Sequence, residues 1–405
     1  MQNSLQLVTL GGKQAAYRLQ GRVLEHPKSA PQFNRIAYSA AHVVADPRAA
    51  IDPWLQCAVD WDATIAFRRH IWSLGLGVAE AMDTAQRGMG LDWPTSLELI
   101  RRSIDAAKDF SGPGRPALVA SGCGTDHLVL ENLRSVDEVI HAYEEQMESI
   151  EKLGGKIILM ASRALARVAK SPADYERVYD RILRQARQPV VLHWLGDMFD
   201  PALAGYWGTQ DVDAAMTTAL GVIAAHPDKV DGIKISLLDK DKEIAMRRKL
   251  PTLGGVDGKG VRMYTGDDFN YAELIAGDGF GNQATHGQSD ALLGIFDAIA
   301  PAASTALGEL AHGNLAKFHA ILGPTLPLSR HIFAAPTRYY KTGVVFMAWL
   351  NGHQSHFSMV GGQQSTRSLP HLCDLFRLAD AANLLEQPGL AVHRMKTLCE
   401  LHGVT

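Results

Sequence analysis

Between Val230 and Glu243 the chain reads VDGIKISLLDKDKE, and its three lysines are not equivalent. Lys240 and Lys242 lie in DKDKE, an alternating-charge run expected as a solvated loop or helix start. Lys234 lies inside an apolar, β-branched run expected as a strand. Alternate strand residues face opposite ways, so Ile233, Ile235 and Leu237 share one face and Val230, Gly232, Lys234 and Ser236 the other. If the apolar face packs on helices, Lys234 points into the interior. Desolvation there disfavours the ammonium, so the amine either pairs with an acid such as Asp268 or becomes neutral. A neutral lysine is a nucleophile toward carbonyls, and the resulting imine is an electron sink for breaking a bond at the adjacent carbon.

Other residues could support or compete with that chemistry. In PVVLHWLGD (189–197), His193 sits in a second strand-like run, where an imidazole can move protons near neutral pH. Glu80, Asp83, Asp126, His127, His193, Asp268 and His286 fall near expected strand ends and are of types that bind divalent metals, although no HxH or HExxH spacing joins them. SGCGTDH (121–127) is expected as a tight glycine turn in preference to a phosphate cradle, with Cys123 a buried structural thiol. His353, Gln354, His356, Gln363, Gln364 and Arg367 either cover the site and bind sugar hydroxyls or are exposed loop residues. Tyr339, Tyr340 and Lys341 are expected as a surface or interface patch.

The elements that must position these residues alternate. Strands are expected at 35–43, 77–83, 116–123, 156–162, 189–195, 230–236, 261–266 and 277–284. Between them lie amphipathic stretches such as 63–75 and 135–154, the second opening with Ser135 and Glu138 at capping-box spacing. Eight strand and helix alternations predict an α/β fold, a (β/α)8 TIM barrel, over 34–290. An N-terminal extension (1–33) is expected as a small strand pair across the barrel's base. Residues 291–405 are expected as a C-terminal helical extension, interrupted by the histidine-rich GHQSHFSMVGGQQSTR.

A chain of 405 residues that is 46% hydrophobic can bury a large core, and a formal net charge of -3 gives no reason to expect nucleic acid or an anionic membrane as partner. The four cysteines form no CxxC pair, which predicts neither a disulfide framework nor a cysteine zinc site. No secretory signal or membrane-length apolar run is expected, which points to the cytoplasm.

Three motifs resemble, in order and spacing, the N-acetylneuraminate lyase and dihydrodipicolinate synthase superfamily of class I aldolases. Gly232-Ile233-Lys234-Ile235-Ser236 is similar to the sixth-strand motif whose lysine forms the Schiff base. Thr265-Gly266-Asp267-Asp268 is similar to the seventh-strand signature, and Gly277 to Gly281 to the glycine motif near the eighth strand. The resemblance, to a divergent dihydrodipicolinate-synthase-like branch, covers roughly residues 35 to 290. The second-strand motif that binds a 2-oxo acid carboxylate in that superfamily becomes Met82-Asp83-Thr84-Ala85-Gln86, with Asp83 in a hydroxyl position. An acid there repels a substrate carboxylate. Where the superfamily carries a proton-relaying tyrosine, this chain has His193.

The expectation is a lyase, aldolase or dehydratase in carbohydrate metabolism that takes a small carbonyl compound, a keto-sugar or sugar-acid derivative. Lys234 would form the imine and His193 would shuttle the proton, with Asp83, Thr84, Ser236 and Asp268 binding substrate. No cofactor is expected beyond the lysine imine, and a homo-oligomer is implied by the resemblance. The alternatives are a metal-dependent sugar isomerase, epimerase or lyase built on the acid and histidine set, or an inactive barrel that binds a metabolite.

Overall fold

The computed structural model describes residues 4–404 except 27, 28, 30, 113–115, 252, 253, 256, 257, 259 and 280–286. An antiparallel pair, β1 (Ser4–Val8) and β2 (Gln14–Arg18), precedes eight parallel strands closed into a barrel. These are β3 (Ala37–Ala40), β4 (Gly77–Glu80), β5 (Val119–Cys123), β6 (Lys156–Met160), β7 (Val190–Leu195), β8 (Val230–Ser236), β9 (Arg262–Thr265) and β10 (Asp290–Leu293), with β10 closing against β3. Between them run α1 (Trp61–Ser73), α2 (Trp93–Phe110), α3 (Val136–Lys152), α4 (Arg163–Val168), α5 (Pro172–Gln185), α6 (Val212–Ala225), α7 (Lys240–Arg247) and α8 (Tyr271–Ala276). The molecule is a (β/α)8 TIM barrel with C-terminal helices. Among the described residues no helix is long and apolar enough to cross a membrane.

The helix starts follow from their caps. The Ser135 side chain accepts from the Glu138 N–H while Glu138 reaches back to the Ser135 N–H, the reciprocal box expected from the sequence. Asp60, Asp92, Asp211 and Asp239 cap α1, α2, α6 and α7 in the same role. Lys240 and Lys242 lie in the first turn of α7, half-exposed, paired with Glu273 and Asp213.

Strand parity separates two cores. Tyr38, Ala40, Ala79, Met82, Ala120, Ile158, Met160, Val191, Tyr264 and Leu292 form a cluster inside the barrel, while Ile233, Ile235, Leu192 and Trp194 join the larger core against the helices. Val230 departs from the expected inward face. Val190 pairs with Val230 and Val191 with Gly232, so Asp231 is an extra residue that reverses parity at the start of β8. Val230 therefore joins the outer core, and Tyr264 OH donates to Asp231 at 2.6 Å. From Gly232 onward the expected alternation holds.

The eighth strand lies later than expected. Residues 277–279 form no strand, 280–284 lie outside the described residues, and β10 falls at Asp290–Leu293, within a run expected to be helical. ALLG leads directly into the helical turn Ile295–Ala298, and a continuous apolar run carries no period to divide a short buried strand from a helix. The N-terminal pair forms, but its principal contacts run to helices Leu369–Ala381 and Pro388–Leu401. Tyr17 OH and the Gln20 N–H both donate to Asp380.

Candidate active site

Lys234 emerges on the inner face of β8 at 7% exposure, with His193 of β7 as its register partner in the ladder. Burial lowers the lysine's pKa, and the charges of Asp268 and Asp83 oppose that shift through space without bonding to it. Of the two alternatives, direct pairing with an acid such as Asp268 is therefore not the one the structure shows. Asp268 is itself buried and pushed up to about 7, by burial first, against the Ile295 N–H that donates to it at 2.9 Å and the positive field of Lys234. Its neighbour Asp267 instead accepts from the N–H groups of Phe269 and Asn270 and from the Asn270 amide, turning the chain into α8.

His193 is 1% exposed, and burial followed by the lysine's charge holds it well below its ordinary pKa. It is therefore a neutral imidazole. Its Nε2 lies 3.4 Å from Ser236 Oγ, and its Nδ1 is buried without a hydrogen-bond partner. Gly266 makes this packing possible: a Cβ there would lie 2.3 Å from Ser236 Oγ, 2.5 Å from Ile235 O and 2.7 Å from Lys234 Cε.

A cavity of about 570 Å³ opens at the carboxyl ends of β4 to β7, the catalytic end of such barrels. His193 and Asp83 line it, together with Gly124, Thr125, Asp126, Ser162, Arg163, Asp200, Arg338, Tyr339, Lys341 and Gln363. Thr84 does not line it. Its hydroxyl is 2.8 Å from Tyr340 OH, so Thr84 braces the start of helix Tyr340–Leu350. Of the six site residues expected from the sequence, His193 and Asp83 line the cavity, Lys234, Ser236 and Asp268 lie beside His193 just outside its lining, and Thr84 stands behind the wall.

Lys341 is the residue that sequence reasoning missed. Tyr340 and Lys341 are buried, and Lys341 and Tyr339 wall the cavity, so this is no surface patch. Burial lowers the Lys341 pKa to about 8, against the attraction of Asp83. Its Nζ donates to Arg338 O at 3.0 Å. Every residue of its helix is buried, so no polar stripe marks which side chain faces the site.

The cavity's other charges are largely matched. Arg87 binds Asp126, the Ala81 and Gly122 carbonyls and Gln146, and Arg163 binds Asp200. Asp83 attracts Lys341 through space, and Arg338 lines the same cavity.

Of the acids and histidines offered as metal ligands, Asp83, His193 and Asp268 lie at the site, while Glu80, Asp126 and His127 have other partners. Glu80 holds Arg68 and the Ala81 N–H, Asp126 holds Arg87, and His127 Nδ1 meets Gln146. His286 lies outside the described residues. The histidine-rich segment also turns away: His353 meets Glu386, Gln354 bridges His42 and His356 O, Gln364 accepts from the Met359 N–H, and Arg367 donates to Ala334 O; of this group Gln363 alone lines the cavity. Cys123 is buried, with its thiol pushed up by burial, and its Sγ points to Tyr143 O.

A family model described as "Protein of unknown function (DUF993)" matches residues 5–404. The chain belongs to the DUF993 family. No curated protein matches it. Solved structures do resemble this DUF993 chain. Dihydrodipicolinate synthase from Aquifex aeolicus is 12% identical, with a TM-score of 0.60 over 87% of this chain and 99% of that one. The same synthase from Cyanidioschyzon merolae, with lysine bound, is 15% identical, with a TM-score of 0.60 over 86% and 98%. YagE from E. coli K12, a dihydrodipicolinic acid synthase family protein in complex with pyruvate, is 15% identical, with a TM-score of 0.58 over 92% and 99%. At these identities the likeness is one of fold, and the DUF993 chemistry rests on its own residues.

Proposed function

We propose that this protein is a Schiff-base lyase of the aldolase or dehydratase type, acting on a small keto-sugar or sugar acid. The observation that carries this reading is the pairing, inside the barrel and beside a cavity, of a buried lysine that no carboxylate contacts directly with a neutral histidine one strand away. The shared fold of aldolase-type synthases, one of them solved with pyruvate, supports it.

Neutral Lys234 adds to the substrate carbonyl, and loss of water leaves an iminium. For carbon–carbon cleavage, His193 takes the proton of the β-hydroxyl, the bond electrons flow into the iminium, and the enamine recovers that proton from His193 before hydrolysis frees the lysine. Dehydration would use the same iminium, with proton loss at the α-carbon and departure of the β-hydroxyl.

The charges favour one substrate class. Asp83 acts on Lys234, which disfavours a carboxylate next to the imine carbon. Lys341 and Arg338 favour an acid group further along, as in a keto-sugar acid. The test is product detection by NMR with a panel of keto-sugars, keto-sugar acids and 2-oxo acids, comparing wild type with Lys234→Met. Turnover that survives Lys234→Met contradicts the reading, and ligand binding without turnover by any member points to a metabolite-binding barrel.

A further inference from the structure

We propose that His70, His353 and Glu386 bind one transition-metal dication, with Zn²⁺ the best fit, and that the ion ties the barrel's first helix to the C-terminal segment. His70 lies in the last turn of α1, His353 just beyond helix Tyr340–Leu350, and Glu386 just before helix Pro388–Leu401. One potential ligand atom from each lies within 4.8 Å of the others.

More than proximity marks the site. Nε2 of His70 is buried and has no hydrogen-bond partner. Buried polar nitrogens are almost always satisfied, and a metal bond to the ring would satisfy this one. The His70 and His353 rings stand 4.3 Å apart at 37°, and His353 Nε2 lies 2.9 Å from Glu386 Oε1.

The donor set selects the ion. Two imidazoles and one carboxylate suit Zn²⁺ better than Ca²⁺ or Mg²⁺, which take oxygen ligands. Zinc–ligand bonds of about 2.0–2.2 Å place tetrahedral donors roughly 3.3 Å apart, so small side-chain rotations close the site. The His353 and Glu386 side chains are 19% and 27% exposed, leaving solvent access for a fourth, water ligand. Phe67 packs on both rings, with centroids 5.8 Å from His70 and 5.4 Å from His353, giving the ion an apolar side. None of the three ligands lines the cavity, which assigns the ion a structural role. It would anchor the end of the helix whose start carries Lys341.

The full chain, stripped by chelator and dialysed, is titrated with Co²⁺ and followed by visible absorption, with Zn²⁺ as competitor. The expected result is one equivalent of Co²⁺ with d–d bands that Zn²⁺ abolishes, a thermal midpoint raised by the metal, and binding weakened by about tenfold or more in His353→Gln and Glu386→Gln. X-ray absorption of the zinc-loaded wild type, which should show two imidazoles and oxygen donors, decides the question if either variant fails to fold. Absence of stoichiometric binding by the wild type, a ligand set without two imidazoles, or equal affinity in folded variants would overturn the proposal.

Discussion

His193 and Lys234 occupy partner positions across β7 and β8, so the two groups are placed by the hydrogen-bonded ladder itself and not by mobile loops. The lysine's charge is also among the causes that keep the imidazole neutral, after burial. In the proposed reaction the cationic iminium on Lys234 loses its charge as the bond electrons flow into it, which would couple that step to proton uptake by His193.

Replacing His193 with Gln should therefore lower kcat by about 10²- to 10⁴-fold, the range typical of a lost general acid–base, while leaving KM nearly unchanged. Imine formation should survive, since Lys234 is retained. Steady-state kinetics together with borohydride trapping of the variant checks both halves; a variant that turns over normally removes His193 from the mechanism.

If Lys234 forms the imine, Asp268 should help to set the pH at which it works. Its negative charge raises the Lys234 pKa against burial, so Asp268→Asn lowers that pKa further. The free amine is the reactive form, and kcat/KM should rise with pH as Lys234 loses its proton. In Asp268→Asn that rising limb should move to lower pH, with the bond from the Ile295 N–H kept by the amide oxygen. A limb that moves upward, or stays in place, contradicts the assignment.

Lys341 should sort substrates by charge. At a pKa of about 8 it is mostly protonated at neutral pH. A hydrogen bond to a charged group contributes about 1.5–3 kcal/mol, so Lys341→Met should raise KM for an acid-bearing substrate by roughly 10- to 100-fold and change little for a neutral keto-sugar. Equal effects on both would place Lys341 in the structure alone.

Gly266 is where the backbone leaves no room. Two of the three nearest atoms to an added Cβ are the Ser236 hydroxyl and the Ile235 carbonyl, so Gly266→Ala must move β8 and with it Lys234. Overpacking of this kind costs about 1–3 kcal/mol, visible as a lower unfolding midpoint, and activity should fall further than stability does.

Much of the site was legible in the sequence because barrel strands impose a two-residue period. That period placed Lys234 and Ser236 inward, and it failed at Val230 only because the extra residue Asp231 resets it; His193 came instead from its residue type and from the superfamily resemblance. Two strongly apolar segments hid the rest. The β10 residues merge into the helix that follows, and Lys341 lies in a helix buried on every side, so neither offers a periodic contrast to read. Telling Asp267 from Asp268 required the folded chain, because only there does Asp267 accept from the Phe269 and Asn270 N–H groups ahead of α8 while Asp268 acts on Lys234 through space.

The most direct test is borohydride reduction of the wild-type protein with the keto-acid and keto-sugar panel, followed by peptide mass mapping. A substrate-sized adduct on Lys234, absent from Lys234→Met, is the predicted result. Turnover without any trapped adduct, or an adduct on Lys341 in place of Lys234, would contradict it.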